Sequence, residues 1–152
     1  MARRLSAKAA IINSDGKFLV LTNSFWEEYP GPAYAPDFPG GTLNLGETSE
    51  QGLIREVKEE IGIDLTHAPR RPLMYCSLPM MDYAVDIYLV HANIRDINLD
   101  EEHCMFSWLT LEQMRALPWW GGYRHLFNQL EQHLSGLETA EFIEYTEAIA
   151  YA

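Results

Sequence analysis

Three glutamates, Glu56, Glu59 and Glu60, stand at i, i+3 and i+4, so a helix would place them on one face. Like charges at that spacing repel, at a cost of about 0.2–0.5 kcal/mol per pair. A hard divalent cation turns that penalty into a binding site, because carboxylate oxygens are its preferred ligands. A fourth glutamate, Glu47, and Arg55 lie just upstream, and the glycine pair Gly40-Gly41 precedes them all. Glycine leaves the backbone bare for close approach to an ion. Carboxylates that position a divalent cation suit metal-assisted hydrolysis, in which the ion offsets developing negative charge and makes a water nucleophilic.

The spacing reads Gly41, five residues, Glu47, seven residues, then Arg55-Glu56-Val57-Lys58-Glu59-Glu60-Ile61-Gly62-Ile63. The segment Gly41–Ile63 resembles the Nudix box of the Nudix hydrolase superfamily, of MutT-like type, at every fixed position. A merely solvated helix face accounts for an isolated E-x-x-E-E, but it requires neither the glycines nor the spacings. The resemblance implies an α/β protein with the Nudix fold, an α/β/α sandwich around a mixed β-sheet. It implies that Glu59 and Glu60 ligate Mg²⁺ or Mn²⁺, that Glu56 adds a ligand or acts as general base, and that the Gly40 carbonyl contributes an oxygen. Glu47 and Arg55 would support them, with Arg55 orienting a glutamate through a forked ion pair. Implied substrates are nucleotides or their derivatives. A (deoxy)nucleoside triphosphate, cleaved to a monophosphate and pyrophosphate, is the first choice. ADP-ribose, nucleotide sugars and dinucleoside polyphosphates stay open, as does a non-catalytic nucleotide-sensing module. Degenerate members of that last kind would be expected to lose a box glutamate or the arginine, and this chain keeps them all.

Outside the box, Asp100-Glu101-Glu102-His103 precedes a strand carrying Trp108. Family members have an acidic residue in a loop here that ligates a metal or activates water, and Glu102 is favoured over Glu101 for that part. The plain alternative is an acidic hairpin loop. For substrate contact, Trp26 and Tyr29 in the aromatic stretch Phe25–Tyr34 could stack on a base, at about 1–3 kcal/mol per base, or simply fill the core. Arg70 could meet phosphate, or be solvated. Trp119 and Trp120 are expected to cover the sheet rather than roof the site. His67, His91, His125 and His133 show no ligand spacing.

These residues need elements to position them. Leu5–Asn13 and Lys17–Thr22 read as strands joined by Ser14-Asp15-Gly16, a hairpin signal. Asn23–Asp37 is broken by Pro30, Gly31, Pro32 and Pro36 into a loop. The box helix starts at Thr48, with Gln51 completing a capping box, and stops at Gly62. Leu53, Ile54, Val57 and Ile61 form its apolar stripe, leaving Arg55, Glu56, Glu59 and Glu60 off it. Strands are expected at Leu73–Ser77, Tyr83–Ala92 and Met105–Leu109. Helices are expected at Leu111–Ala116, after a capping pattern at Thr110 and Gln113, and at Tyr123–Leu134. One domain is expected over residues 1–136. An acidic tail over 137–152 is expected to be helical or partly disordered.

The 152 residues suffice for a core without disulfides, so a reduced, cytoplasmic protein is the simplest expectation for two cysteines without ligand spacing. A net charge of −11 argues against nucleic-acid polymers and anionic membranes as partners, but not against a small phosphate substrate drawn to a bound metal. No apolar run approaches the ~18–20 residues of a membrane span. A homodimer is left open.

Overall fold

The computed structural model describes residues 4–24, 34–78, 83–119 and 123–146. Its strands are β1 (Arg4–Ile12), β2 (Phe18–Asn23), β3 (Pro36–Asp37), β4 (Gly40–Thr42), β5 (Arg70–Leu78), β6 (Tyr83–Ile94), β7 (His103–Leu109) and β8 (Ile143–Tyr145). Its helices are α1 (Ser49–Ile61), α2 (Leu111–Arg115) and α3 (Tyr123–His133). The strands form one mixed sheet with the path β3-β2-β1-β6-β5, to which β4, β7 and β8 attach through β1, β2 and β6.

Side chains alternate across a strand, and β1 divides its residues between two cores accordingly. Ala7, Ala9 and Ile11 pack with Leu53, Val57 and Ile61 of α1. Ala10 and Ile12 pack with Leu111 and Met114 of α2 and with Leu126, Phe127 and Leu130 of α3. Helices therefore cover both faces of a mixed sheet, which is the α/β/α sandwich the sequence implies. The small residues of β1 let helices approach from either side. Each fully buried Leu, Val or Ile contributes about 1.5–3 kcal/mol by leaving water.

The expected hairpin forms, but it is short. The turn exists: Gly16 has φ +77°, and the Asn13 N–H donates to the Lys17 carbonyl at 2.9 Å. However, β1 and β2 pair at one position only, Ile12 with Phe18. Beyond it β1 runs parallel to β6 along its whole length, and β2 runs antiparallel to β7. A turn signal reports local geometry. A strand buried on both faces takes its partners from the whole sheet.

The end of the described chain also differs from expectation. A 3₁₀ turn over Leu134–Thr139 leads into β8, which pairs parallel to Ala92–Ile94 of β6. The Tyr145 hydroxyl donates to the Asp64 carbonyl at 2.5 Å, and Ile143 and Tyr145 pack against the core on the α1 face. Trp119 covers the sheet, as expected: it is buried, stacks on Phe38 with ring centroids 4.9 Å apart, and donates its indole N–H to the Met114 carbonyl. Trp120 lies outside the described residues.

Candidate active site

Helix α1 begins and ends as its sequence dictates. The Thr48 hydroxyl accepts from the Gln51 N–H, the Gln51 side chain accepts from the Thr48 N–H, and Gly62 closes the helix in the left-handed region at φ +74°. The helix thereby fixes the angular position of every box residue.

Arg55 is the hub of the exposed half of the site. Its Nε and Nη2 fork onto the two Glu47 carboxylate oxygens at 2.8 and 2.9 Å. Its Nη1 reaches Glu56 Oε1 at 3.0 Å and Glu59 Oε2 at 3.3 Å, and its Nη2 also donates to the Thr42 carbonyl. One guanidinium thus gathers three box glutamates and ties them to β4. The bond to Arg55, with the Asn44 N–H, pulls the Glu47 carboxyl down to about 2. The bond to Glu47 in turn raises Arg55. Burial raises Glu56, against the opposing pull of Arg55. Glu59 is half-exposed and faces outward. Glu56 is cradled by glycine: a Cβ at Gly41 would stand 2.7 Å from the Glu56 carboxyl carbon.

Glu60 forms the buried half, with 3% of its surface exposed. The Gly40 N–H donates to Glu60 Oε2 at 2.9 Å. Burial pushes the Glu60 carboxyl well above the ordinary value, against Lys8 and the Gly40 N–H. Gly40 adopts φ +129°, and a Cβ there would stand 2.1 Å from the Ala7 carbonyl oxygen, so only glycine fits between α1 and β1.

The C-terminal carbonyls of a helix need donors from elsewhere, and the segment after β6 supplies them here. The Asn98 N–H donates to the Ile61 carbonyl at 3.1 Å, and the Asp100 N–H to the Glu60 carbonyl at 3.0 Å. Those bonds carry Asp100 and the buried His103 to Glu60. Ligand atoms of Glu60, Asp100 and His103 lie within 4.8 Å of one another, and His103 Nδ1 is 2.7 Å from Asp100 Oδ1.

The structure therefore brings together Gly40, Glu47, Arg55, Glu56, Glu59 and Glu60. The Glu102 side chain is exposed, and its carbonyl accepts from the Ser24 N–H at 2.8 Å. Asp100 and His103, named in the sequence only as part of the acidic run, occupy the position beside Glu60. The Arg70 guanidinium binds the loop after α1. Its Nη1 donates to the carbonyls of Leu65, Thr66 and Ala68, and its Nε lies 3.4 Å from Glu50 Oε1. Trp26 and Tyr29 lie outside the described residues. Sequence reasoning did not single out Lys8 or Asp37. Lys8 is buried, and its ammonium donates to Asp37 Oδ2 at 2.9 Å and to the Gly40 carbonyl at 3.0 Å. Burial works against the Lys8 charge, but Asp37 and then Glu60 outweigh it and hold its pKa above the ordinary lysine value.

The donor set fits a hard divalent ion. It is rich in carboxylate oxygen, it includes a buried carboxylate for which burial alone disfavours the charge, and glycines keep the adjoining backbone open.

A match to the model of the NUDIX domain family extends over residues 2–130, and the chain belongs to that family. Over 54 residues it is 41% identical to an 8-oxo-dGTP diphosphatase of Proteus vulgaris, a match covering 36% of this chain and 48% of that protein. Over 64 residues it is 34% identical to a CTP pyrophosphohydrolase of Escherichia coli strain K12, covering 42% and 45%. The chain spans about half the length of the curated relatives it matches. Among solved structures, the MutT protein from Methanosarcina mazei Go1 superposes with a TM-score of 0.67 at 28% identity, covering 86% of this chain and 94% of that one.

Proposed function

We propose that this protein hydrolyses a phosphoanhydride bond in a nucleoside diphosphate-linked compound, using Mg²⁺ or Mn²⁺. The observation that carries the reading is the placing of Glu56 against Gly41 and of Glu60 against Gly40, with Arg55 joining Glu56 and Glu59 to Glu47. Glu56, Glu59, Glu60 and the Gly40 carbonyl would hold the ion. When bound, it supplies charge neutralisation for phosphate and a more acidic water. Glu56, raised by burial and aimed by Arg55, is the candidate general base. Arg55 and Glu47 limit how far the glutamates swing, which matters because phosphoryl chemistry rewards positioning. The Asp100–His103 pair is a second candidate for holding or orienting water beside Glu60.

Within this class a (deoxy)nucleoside triphosphate, cleaved to monophosphate and pyrophosphate, is the first choice. Support comes from the names of the relatives, a diphosphatase of 8-oxo-dGTP and a pyrophosphohydrolase of CTP. The test is release of phosphate or pyrophosphate with Mg²⁺ from a panel of canonical and oxidised nucleoside triphosphates, ADP-ribose, nucleotide sugars and dinucleoside polyphosphates. One compound should be strongly preferred. Glu59→Gln and Glu60→Gln should each lower its turnover by roughly a hundredfold or more, about 2.7 kcal/mol or more in the barrier, with folding retained by circular dichroism. Wild-type rates in either variant at saturating Mg²⁺ would remove that glutamate from the mechanism. Nucleotide binding without hydrolysis of any compound would favour a sensing module.

A further inference from the structure

Lys8 is unusual for its place. It stands between Ala7 and Ala9 in β1, 7% of its surface is exposed, and its ammonium ends at the Gly40 carbonyl just before the box. Gly40 joins two opposite charges through a single residue: its N–H donates to Glu60 at 2.9 Å, and its carbonyl accepts from Lys8 at 3.0 Å. Lys8 also pairs with Asp37, whose other oxygen accepts from the Phe38 N–H and the Tyr123 hydroxyl. Asp37 is therefore held in place from α3 and by the backbone that follows it, and Lys8 is held in place by Asp37. Burying an ammonium is costly unless it is paired and hydrogen-bonded. Here both conditions are met at the carbonyl that the proposed reading assigns to the ion.

Resting on that reading, we propose that Lys8 is a positioning residue of the ion cradle, an internal cation that keeps the Gly40 carbonyl and the Glu60 carboxylate assembled when no ion is bound. Asp37 tunes it by offsetting part of its charge. Lys8 shares the Gly40 carbonyl with any incoming ion and repels it, so the cradle is stable when empty and its affinity for the ion is moderated.

The test uses nucleotide-free protein. Mn²⁺ binding is followed by electron paramagnetic resonance of the free ion, and thermal unfolding is recorded with and without Mg²⁺. Lys8→Met keeps the apolar stem and removes the charge. It should lower the metal-free Tm, bind Mn²⁺ roughly tenfold more tightly, and gain more Tm on adding Mg²⁺ than wild type, since a like charge beside the ion is gone. Asp37→Asn should move affinity the opposite way, because the Lys8 charge is then less offset. A merely structural Lys8 would lower Tm with Mn²⁺ affinity unchanged, so equal affinities in the three proteins would overturn the proposal. If Lys8→Met fails to fold, Asp37→Asn alone decides: weaker binding supports the proposal and unchanged binding overturns it. Wild-type protein that binds no Mn²⁺ would overturn both the cradle and this role. The predicted affinity shifts without hydrolysis of any nucleotide would sink only the proposed activity.

Discussion

At the scale of single residues, the site is two linked half-sites with different electrostatics. Glu47 and Arg55 form a forked pair at the surface, and Glu60 is a buried carboxylate set against a buried lysine. The forked pair gives a pH dependence with a definite sign. The Glu47 carboxyl lies at about 2 in the folded protein against an ordinary 4.5, so it binds fewer protons folded than unfolded across that window. Its stabilisation is fully present above the ordinary value and is lost as pH falls toward the folded one. The difference in urea midpoint between wild type and Glu47→Gln should hold steady from neutrality to mildly acid pH, then shrink on further acidification. A pH-independent difference would show that the pair does not act through charge. The box residues were legible from sequence because their relations are local, set by helical spacing and two glycines. Lys8, Asp37, Asp100 and His103 were not, because strand register and the carbonyls at the end of α1 bring them in from far along the chain. The one local hint was a lysine set among the alanines of an expected strand, Ala7-Lys8-Ala9-Ala10.

At the scale of elements, β4 shows why adjacent glycines are not equivalent. A Cβ on Gly40 meets backbone, the Ala7 carbonyl oxygen at 2.1 Å, at a φ of +129°. A Cβ on Gly41 meets only side-chain atoms, the carboxyl end of Glu56 at 2.7 Å. Gly40→Ala should therefore separate β4 from β1 and destabilise the protein by several kcal/mol, on the order of the larger single-substitution effects. Gly41→Ala should leave the urea midpoint nearly unchanged while displacing the Glu56 carboxylate, so turnover falls and stability does not. Equal loss of stability in both variants would contradict this reading of β4. Helix limits were well read from sequence, since caps are short-range chemistry: Thr48, Gln51 and Gly62 do in the fold what their types suggest. The β1–β2 hairpin was over-read for the same reason. Asp15-Gly16 encodes the turn, but it carries no information about where the strands go after Ile12 and Phe18.

For the molecule as a whole, β8 is the element the sequence concealed. Alternating glutamates and apolar residues there suit a helix face or a short edge strand equally well, and only the free backbone of Ala92–Ile94 decides between them. Ending the chain after Ala140 removes β8, the Tyr145 hydroxyl bond to Asp64, and the Asn93 side-chain bond to Glu144. The shortened protein should lose at least roughly 2–4 kcal/mol in urea unfolding, because the half-buried Phe142, Ile143 and Tyr145 go with it, as does the Arg95 N–H bond to the Tyr145 carbonyl. Because β8 pairs with the far end of β6 and packs on the apolar side of the α1 core, whereas the box glutamates lie off that stripe, Mn²⁺ affinity should be retained. An unchanged urea midpoint would show that β8 contributes nothing to stability. The sandwich itself was legible through the box rather than through periodicity, since nothing local specifies that β1 lies parallel to β6.

That parallel pairing has a consequence for how the molecule comes into being. Every partner of β1 on β6 is separated from it by more than half the chain. Helix α1 and the box loop lie wholly inside the loop this pairing closes, so they can be synthesised and turned into shape while the first strand is still unpaired. Closing long loops is what slows the folding of sheet proteins. Lys8 does not depend on that closure, because β1 also pairs antiparallel to β4, with Lys8 opposite Gly40 and bonded to Asp37 and Gly40 at separations of 29 and 32 residues. The carboxylates and the charge that offsets them can therefore assemble within the first part of the chain, and ion-binding competence can precede the slower closure of the sheet.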